Sequence, residues 1–67
     1  MSAVLWIRCV DKMPPDRDVE VIIQNLITGD FYQTPADEVW LEIDYDKRHE
    51  WQWICWTHEI WEELNES

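Results

Sequence analysis

The stretch Val-Glu-Val-Ile-Ile-Gln at positions 19–24 is the clearest strand in this 67-residue chain, because β-branched side chains favour extended backbone. Its odd-numbered and even-numbered side chains point to opposite faces of a sheet. Thr28-Gly29-Asp30 follows and contains the only glycine of the chain, as is typical of a tight turn. The turn leads into Phe31-Tyr32-Gln33, and we therefore predict a β-hairpin.

The segment before the hairpin predicts a short opening strand at residues 5–10, which ends at Asp-Lys-Met-Pro-Pro-Asp, positions 11–16. Two consecutive prolines lack N–H donors and cannot continue a central strand. Thr34-Pro35-Ala36-Asp37, after the hairpin, could open a helix with a capping box. The apolar residues at 39–45 then alternate with period two. This period favours a strand over 39–45, preceded by one helical turn at 35–38.

The C-terminal part predicts a polar turn at 46–49, a strand at 50–56 and a helix at 58–65, which Thr57 can cap. The strand places Trp51, Trp53 and Cys55 on one face, and its other face is also largely apolar. It is therefore either central and covered on both faces, or it offers one face for docking. We predict one α+β domain over residues 1–67, a small antiparallel sheet of about four strands with a short C-terminal helix.

The composition limits the classes of partner. Fifteen acidic and five basic residues give a formal net charge of −10, whereas proteins that bind nucleic acid or anionic lipid cluster Lys and Arg. Six tryptophans speak against acidic disorder. The chain has no apolar run of the roughly 18 residues that a membrane span needs and begins without a signal-peptide pattern. With only two cysteines, we expect a cytosolic protein with reduced thiols.

The charge is distributed unevenly. Residues 1–29 hold four acids and three bases, a net charge of −1, whereas residues 30–67 hold eleven acids and two bases, a net charge of −9. Five of the six tryptophans also lie in the second half. The predicted hairpin at 37–50 and the predicted helix carry most of these acids. Repulsion on this scale destabilises a small domain, so the charge favours a role in binding as well as in solubility.

Two blocks carry a resemblance to a known family. Trp6-Ile7, Asp11-Lys12-Met13-Pro14 and the strand at 19–23 form the first, and Thr57-His58 beside tryptophan forms the second. They resemble the small phage and prophage proteins grouped as domain of unknown function 551. Their pattern runs Trp-Ile, Asp-x-Leu/Met-Pro, a Val-Leu-Val strand, a central tryptophan and Thr-His-Trp-x-x-Leu-Pro. The resemblance implies a phage origin and a compact β-containing fold, and it implies no activity. This chain departs from it after Thr57-His58, where an acidic helix replaces the proline-rich ending.

A metal site and an enzyme are the alternatives to a binding protein. Cys9, His49, Cys55 and His58 are a conceivable zinc set, but two of them stand alone and Cys55 lies within a strand, where a cysteine is more often a small buried hydrophobe. A Cys55–His58 nucleophile has no evident third orienting group, and a chain of 67 residues builds a poor concave pocket. We therefore expect no metal, no cofactor and no catalytic residues.

The leading hypothesis is a phage-encoded inhibitor that binds a basic, nucleic-acid-binding surface of a host protein in the host cytoplasm, as anti-CRISPR or anti-restriction factors do. Carboxylates would steer association and partly exposed tryptophans would hold the complex. The candidate partner-binding residues are Trp40, Glu42, Asp44, Asp46, Trp56, Glu59, Glu62 and Glu63. The alternative is an accessory phage protein that forms a homodimer through the tryptophan-rich strand. A zinc-stabilised module is a further rival. Direct binding to nucleic acid or membrane is not expected.

Overall fold

A computed structural model describes residues 4–66. Four strands, two α-helices and one 3₁₀ helix follow one another along the chain. They are β1 (Ile7–Arg8), β2 (Glu20–Asn25), β3 (Phe31–Pro35), α1 (Ala36–Glu42), the 3₁₀ helix (Tyr45–Glu50), β4 (Trp51–Cys55) and α2 (His58–Glu66). All strand pairs are antiparallel and the order in the sheet is β1-β4-β2-β3. The predicted α+β class, with a four-stranded antiparallel sheet and a C-terminal helix, is confirmed.

The predicted hairpin is also confirmed, as β2 and β3. Gly29 in the turn has φ of +83°, a value that glycine adopts at no steric cost. Ile23 lies at the centre of the sheet, opposite Tyr32 on β3 and Trp53 on β4. Since directly opposed residues share a face, the register separates two faces of the sheet.

The first face carries Val21, Ile23 and Trp53 and packs against α1, and we call it the α1 face. Its side chains form one buried cluster with residues of α1 and of the loop after β1. The members are Cys9, Met13, Val21, Ile23, Ala36, Val39, Ile43 and Trp53. This cluster is the principal core of the domain.

The opposite face, which we call the α2 face, carries Ile22, Phe31 and Ile54. Ile22 is fully buried although it lies outside the principal cluster. The ring of Phe31 meets that of Trp61 edge-on, with 5.8 Å between centroids. We conclude that α2 covers this face and that the sheet lies between two helices.

The predicted strand at 39–45 is wrong, because residues 36–42 form α1. Ala36, Val39 and Ile43 are buried, whereas Leu41 is 71% exposed, so the apolar side chains recur with the helical period and not with period two. Pro35 is the N-cap and makes no side-chain capping bond, so the predicted capping box is not formed. The helix therefore depends on packing of its apolar side against Val21 and Ile23.

The segment after β1 is held by two tryptophans. Trp53 donates its indole N–H to the carbonyl oxygen of Lys12 at 2.7 Å, and Trp40 donates to that of Pro14 at 2.8 Å. Met13 between them is buried. Of the predicted opening strand, Ile7–Arg8 forms β1, and the backbone N–H of Cys9 donates to the carbonyl oxygen of Trp51 at 3.0 Å. The two indoles therefore replace the strand bonds that this proline-containing segment cannot make.

The predicted C-terminal strand and helix are confirmed, as β4 and α2, whereas the predicted turn at 46–49 lies within the 3₁₀ helix. β4 lies between β1 and β2, so the tryptophan-rich strand is central. The backbone N–H of Ile60 donates to the hydroxyl of Thr57 at 3.2 Å, so Thr57 caps α2 as expected. Among residues 4–66, neither α-helix has the length and apolar character needed to span a bilayer.

Candidate protein-binding surface

The acidic side chains are exposed and lack basic neighbours. Glu50 is half-buried and the other fourteen acids are exposed. Within residues 4–66, no carboxylate lies within 4.0 Å of a lysine or arginine nitrogen. Glu50 lies 3.7 Å from His49 and Glu62 lies 3.3 Å from His58. The negative charge is therefore presented to solvent with little internal compensation.

The four glutamates of α2 form one stripe, which we call the α2 acidic stripe. Glu59, Glu62, Glu63 and Glu66 follow the i, i+3, i+4, i+7 spacing, which places side chains on one side of a helix. Ile60, Trp61 and Leu64 are half-buried on the other side. The stripe therefore faces away from the sheet.

A second group of acids follows the outer side of α1 and the chain after it. Glu42 ends α1, Asp44 is the N-cap of the 3₁₀ helix and Asp46 lies in its first turn. The prediction that residues 37–50 form one acidic hairpin is wrong, because residues 36–42 are helical. Since α1 and α2 cover opposite faces of the sheet, Glu42, Asp44 and Asp46 belong to a different surface from the α2 acidic stripe.

The arginines are directed to aromatic rings and carbonyl groups. The Cζ atoms of Arg17 and Arg48 lie 4.7 Å and 5.4 Å from the centroid of the Trp40 ring. Arg8 donates to the carbonyl oxygen of His49 at 3.2 Å. Cation–π contacts of this kind stabilise the ring and the guanidinium without neutralising a carboxylate, so these three arginines do not compensate the acids.

Trp40 and Trp56, the two predicted partner-binding tryptophans, are both half-buried. Trp40 packs against the principal cluster and its N–H is bonded to Pro14, so part of its ring serves the fold. The Trp56 indole N–H is buried without a hydrogen-bond partner among the described residues. Trp53 is the one tryptophan of the six that is fully buried. Trp6 and Trp61 are half-buried as well.

Two exposed apolar side chains were missed by the sequence analysis. Leu41 lies on the outer side of α1, and Tyr45 is 83% exposed at the start of the 3₁₀ helix. The signal for Leu41 was present in the sequence. Ala36, Val39 and Ile43 recur with the helical period, and a helix with these residues inside places Leu41 on its outer side. Both residues lie among the acids of the α1 side.

The conceivable zinc set is dispersed. Cys9 is buried in the principal cluster, whereas Cys55 is an exposed free cysteine. His58 lies 3.3 Å from Glu62, and His49 lies 3.7 Å from Glu50. Over residues 4–66, no three histidine, cysteine or carboxylate side chains come together as metal ligands would.

Cys9 gives an alkaline pH dependence that can be tested. Burial raises the pKa of its thiol from 9.0 to about 11, and nearby Arg48 opposes part of this shift. The unfolded chain then loses this proton at lower pH than the folded chain. Stability is therefore retained below pH 9 and falls as the pH rises towards 11, by at most about 1.4 kcal/mol per pH unit.

Urea unfolding of the protein and of Cys9→Ala over this pH range measures the effect. We expect the free energy of unfolding of the variant to fall less steeply with pH, because the buried thiol is gone. The exposed thiol of Cys55 is present in both proteins and does not contribute to the difference. Equal slopes for the two proteins would contradict the assignment to Cys9.

No family model, curated protein or solved structure matches the chain. The resemblance to the domain of unknown function 551 therefore stays a prediction, and the function is argued from the surface alone.

Proposed function

We propose that this protein is a phage-encoded, non-enzymatic inhibitor that imitates nucleic acid. It binds the basic nucleic-acid-binding surface of a host defence or DNA-binding complex, as anti-CRISPR and anti-restriction factors do. The observation that carries the proposal is the α2 acidic stripe, a row of exposed carboxylates with no lysine or arginine neighbour on one side of a helix. The α1 acids belong to another surface, and we assign them to steering.

The mean axial spacing of the carboxylates in the α2 acidic stripe is close to that of the phosphates in one DNA strand. With a rise of about 1.5 Å per residue, the four carboxylates from Glu59 to Glu66 extend over about 10.5 Å of helix axis, or about 3.5 Å per charge. One DNA strand carries a phosphate about every 3.4 Å along the duplex axis. The mean axial density of charge on the stripe is therefore comparable to that of one DNA strand, with steps of three, one and three residues between successive glutamates.

Two triple reversals test the proposal. The first is Glu62→Lys, Glu63→Lys and Glu66→Lys on α2, and the second is Glu42→Lys, Asp44→Lys and Asp46→Lys on the α1 side. Every reversal adds two charges, so each variant changes the net charge from −10 to −4. The α2 variant keeps its fold, because lysine near a helix C-terminus is favoured by the helix dipole.

The assay is a tagged pull-down from host lysate at low and high salt, followed by competition with duplex DNA. We expect one nucleic-acid-binding complex that high salt releases and DNA displaces. The α2 variant should bind it about a hundredfold more weakly, and the α1 variant about tenfold or less. Equal binding by the α2 variant and the unchanged protein would refute the proposal. A defined oligomer with no captured complex would favour the homodimer alternative.

A further inference from the structure

β3 is an edge strand of the sheet. Two hydrogen bonds, one at each end, fix which of its backbone groups point towards β2. Asn25 N–H donates to the carbonyl of Asp30, and Ala36 N–H donates to that of Val19. Since bonded and non-bonded pairs alternate along an antiparallel ladder, Tyr32 and Thr34 bond to β2.

Phe31 and Gln33 therefore direct their N–H and C=O groups away from the sheet. Pro35 has no N–H, and its carbonyl begins α1 as the N-cap. The open edge thus offers two donors and two acceptors at alternate residues. An added antiparallel strand can therefore form four hydrogen bonds with this edge, two with Phe31 and two with Gln33.

The edge lacks the usual protection against pairing. Lysine, proline at a central position, or an inward charge blunts most natural edge strands, but Phe-Tyr-Gln-Thr-Pro contains no charged residue and its proline is last. The other edge of the sheet, β1, is only two residues long. An uncharged five-residue edge is unusual in a chain with fifteen acids.

A carboxylate lies near this edge on each face of the sheet. On the α1 face, burial and the charge of Glu42 both raise the pKa of Tyr32, which places Glu42 near the phenol. On the α2 face, the amide of Gln33 donates to Glu20 at 3.1 Å. Asp30 immediately precedes the strand. The electrostatic potential along the edge of β3 is therefore negative on both faces of the sheet.

We propose that the open edge of β3 binds an extended basic segment of the partner protein by strand addition, with a lysine or arginine opposite Tyr32. The aliphatic stem of that residue packs on the exposed Tyr32 ring and its charge reaches Glu42. This inference rests on the proposed function for the identity of its partner. A second copy of this chain fits less well, because it carries a net charge of −10 to an edge that is already flanked by carboxylates.

The test uses NMR of the ¹⁵N-labelled protein with the peptide acetyl-Lys-Val-Lys-Val-Lys-amide at millimolar concentration. We expect the amides of Phe31 and Gln33 to shift and to exchange more slowly with solvent, while those of Tyr32 and Thr34 gain no protection. The peptide acetyl-Glu-Val-Glu-Val-Glu-amide should bind at least about tenfold more weakly. No protection at Phe31 and Gln33 overturns the inference.

Gln33→Pro removes one outward N–H without breaking a bond to β2, and Gln33→Ala is its control because it keeps that N–H. Loss of peptide binding in the proline variant alone supports strand addition, and wild-type binding by that variant overturns it. If the proline variant does not fold, the exchange pattern of the unchanged protein decides. Protection of both amides at high protein concentration without peptide also overturns it, since the edge then takes a second copy.

The reversed α2 variant separates this inference from the proposed function. Its edge strand is intact, so it should still protect Phe31 and Gln33 in the presence of the lysine peptide while failing to capture the host complex. Peptide binding that disappears with the α2 acidic stripe would overturn the edge inference and leave the proposed function standing.

Discussion

Trp53→Ala should unfold the protein under conditions in which the unchanged chain is folded. Trp53 is 3% exposed, lies opposite Ile7 and Ile23 in the sheet and holds the carbonyl of Lys12. Removing a buried tryptophan side chain costs about 3–5 kcal/mol. A chain of this length has a free energy of unfolding of roughly 3–10 kcal/mol, so the substitution removes a large part of the stability of the fold.

Urea unfolding followed by far-ultraviolet circular dichroism measures the effect. Leu41→Ala is the control, because that side chain is exposed on α1 and its removal should cost less than about 0.5 kcal/mol. Trp53→Phe keeps most of the ring but leaves the Lys12 carbonyl without its donor, at a cost of about 1–3 kcal/mol. A Trp53→Ala protein with an unchanged midpoint would disprove the assigned core.

Ile22→Ala should have the second largest effect, about 2–5 kcal/mol. Ile22 is fully buried, and it faces α2 and not the principal cluster. Its cost therefore measures how well α2 covers the sheet. If α2 were only loosely attached, water would reach this position and the substitution would cost little.

Ile27→Ala is the matched control, since Ile27 is 72% exposed and loses the same atoms. Chemical denaturation of both variants should give a difference of at least about 2 kcal/mol. Equal costs would mean that the α2 face is not a second core. A larger cost at position 22 would confirm that a nine-residue helix with no fully buried residue still protects the sheet.

The elements that were predicted correctly are those in which local signals agree. At 19–24 the β-branched residues, the alternation and the following glycine turn all indicate one hairpin, and Thr57 marks the start of α2. At 36–42 they conflict, because Val39 and Ile43 fit both a strand and a helix. In the structure, Ala36 is buried against the sheet together with Val39 and Ile43. This packing favours the helix, and the small size of Ala36 gave no sign of it in the sequence.

The candidate surface was only partly predictable for the same reason. Exposure of the carboxylates follows from their chemistry, and the stripe on α2 follows from helical spacing. The separation of Glu42 and Asp44 from that stripe depends on α1 and on strand order, neither of which is local. The structural contacts of Trp40 are equally non-local, since Pro14 and Arg17 lie in the segment between β1 and β2 and Arg48 lies in the 3₁₀ helix.

The position of β4 between β1 and β2 has a consequence for synthesis of the chain. β4 follows every other strand in sequence, so β1 has no partner and β2 has only β3 until residues 51–55 have left the ribosome. Before then only the β2–β3 hairpin and α1 can form, and isolated hairpins are marginal in water. The sheet therefore assembles late, and closing the long loop that joins β1 to β4 is the entropically costly step of folding.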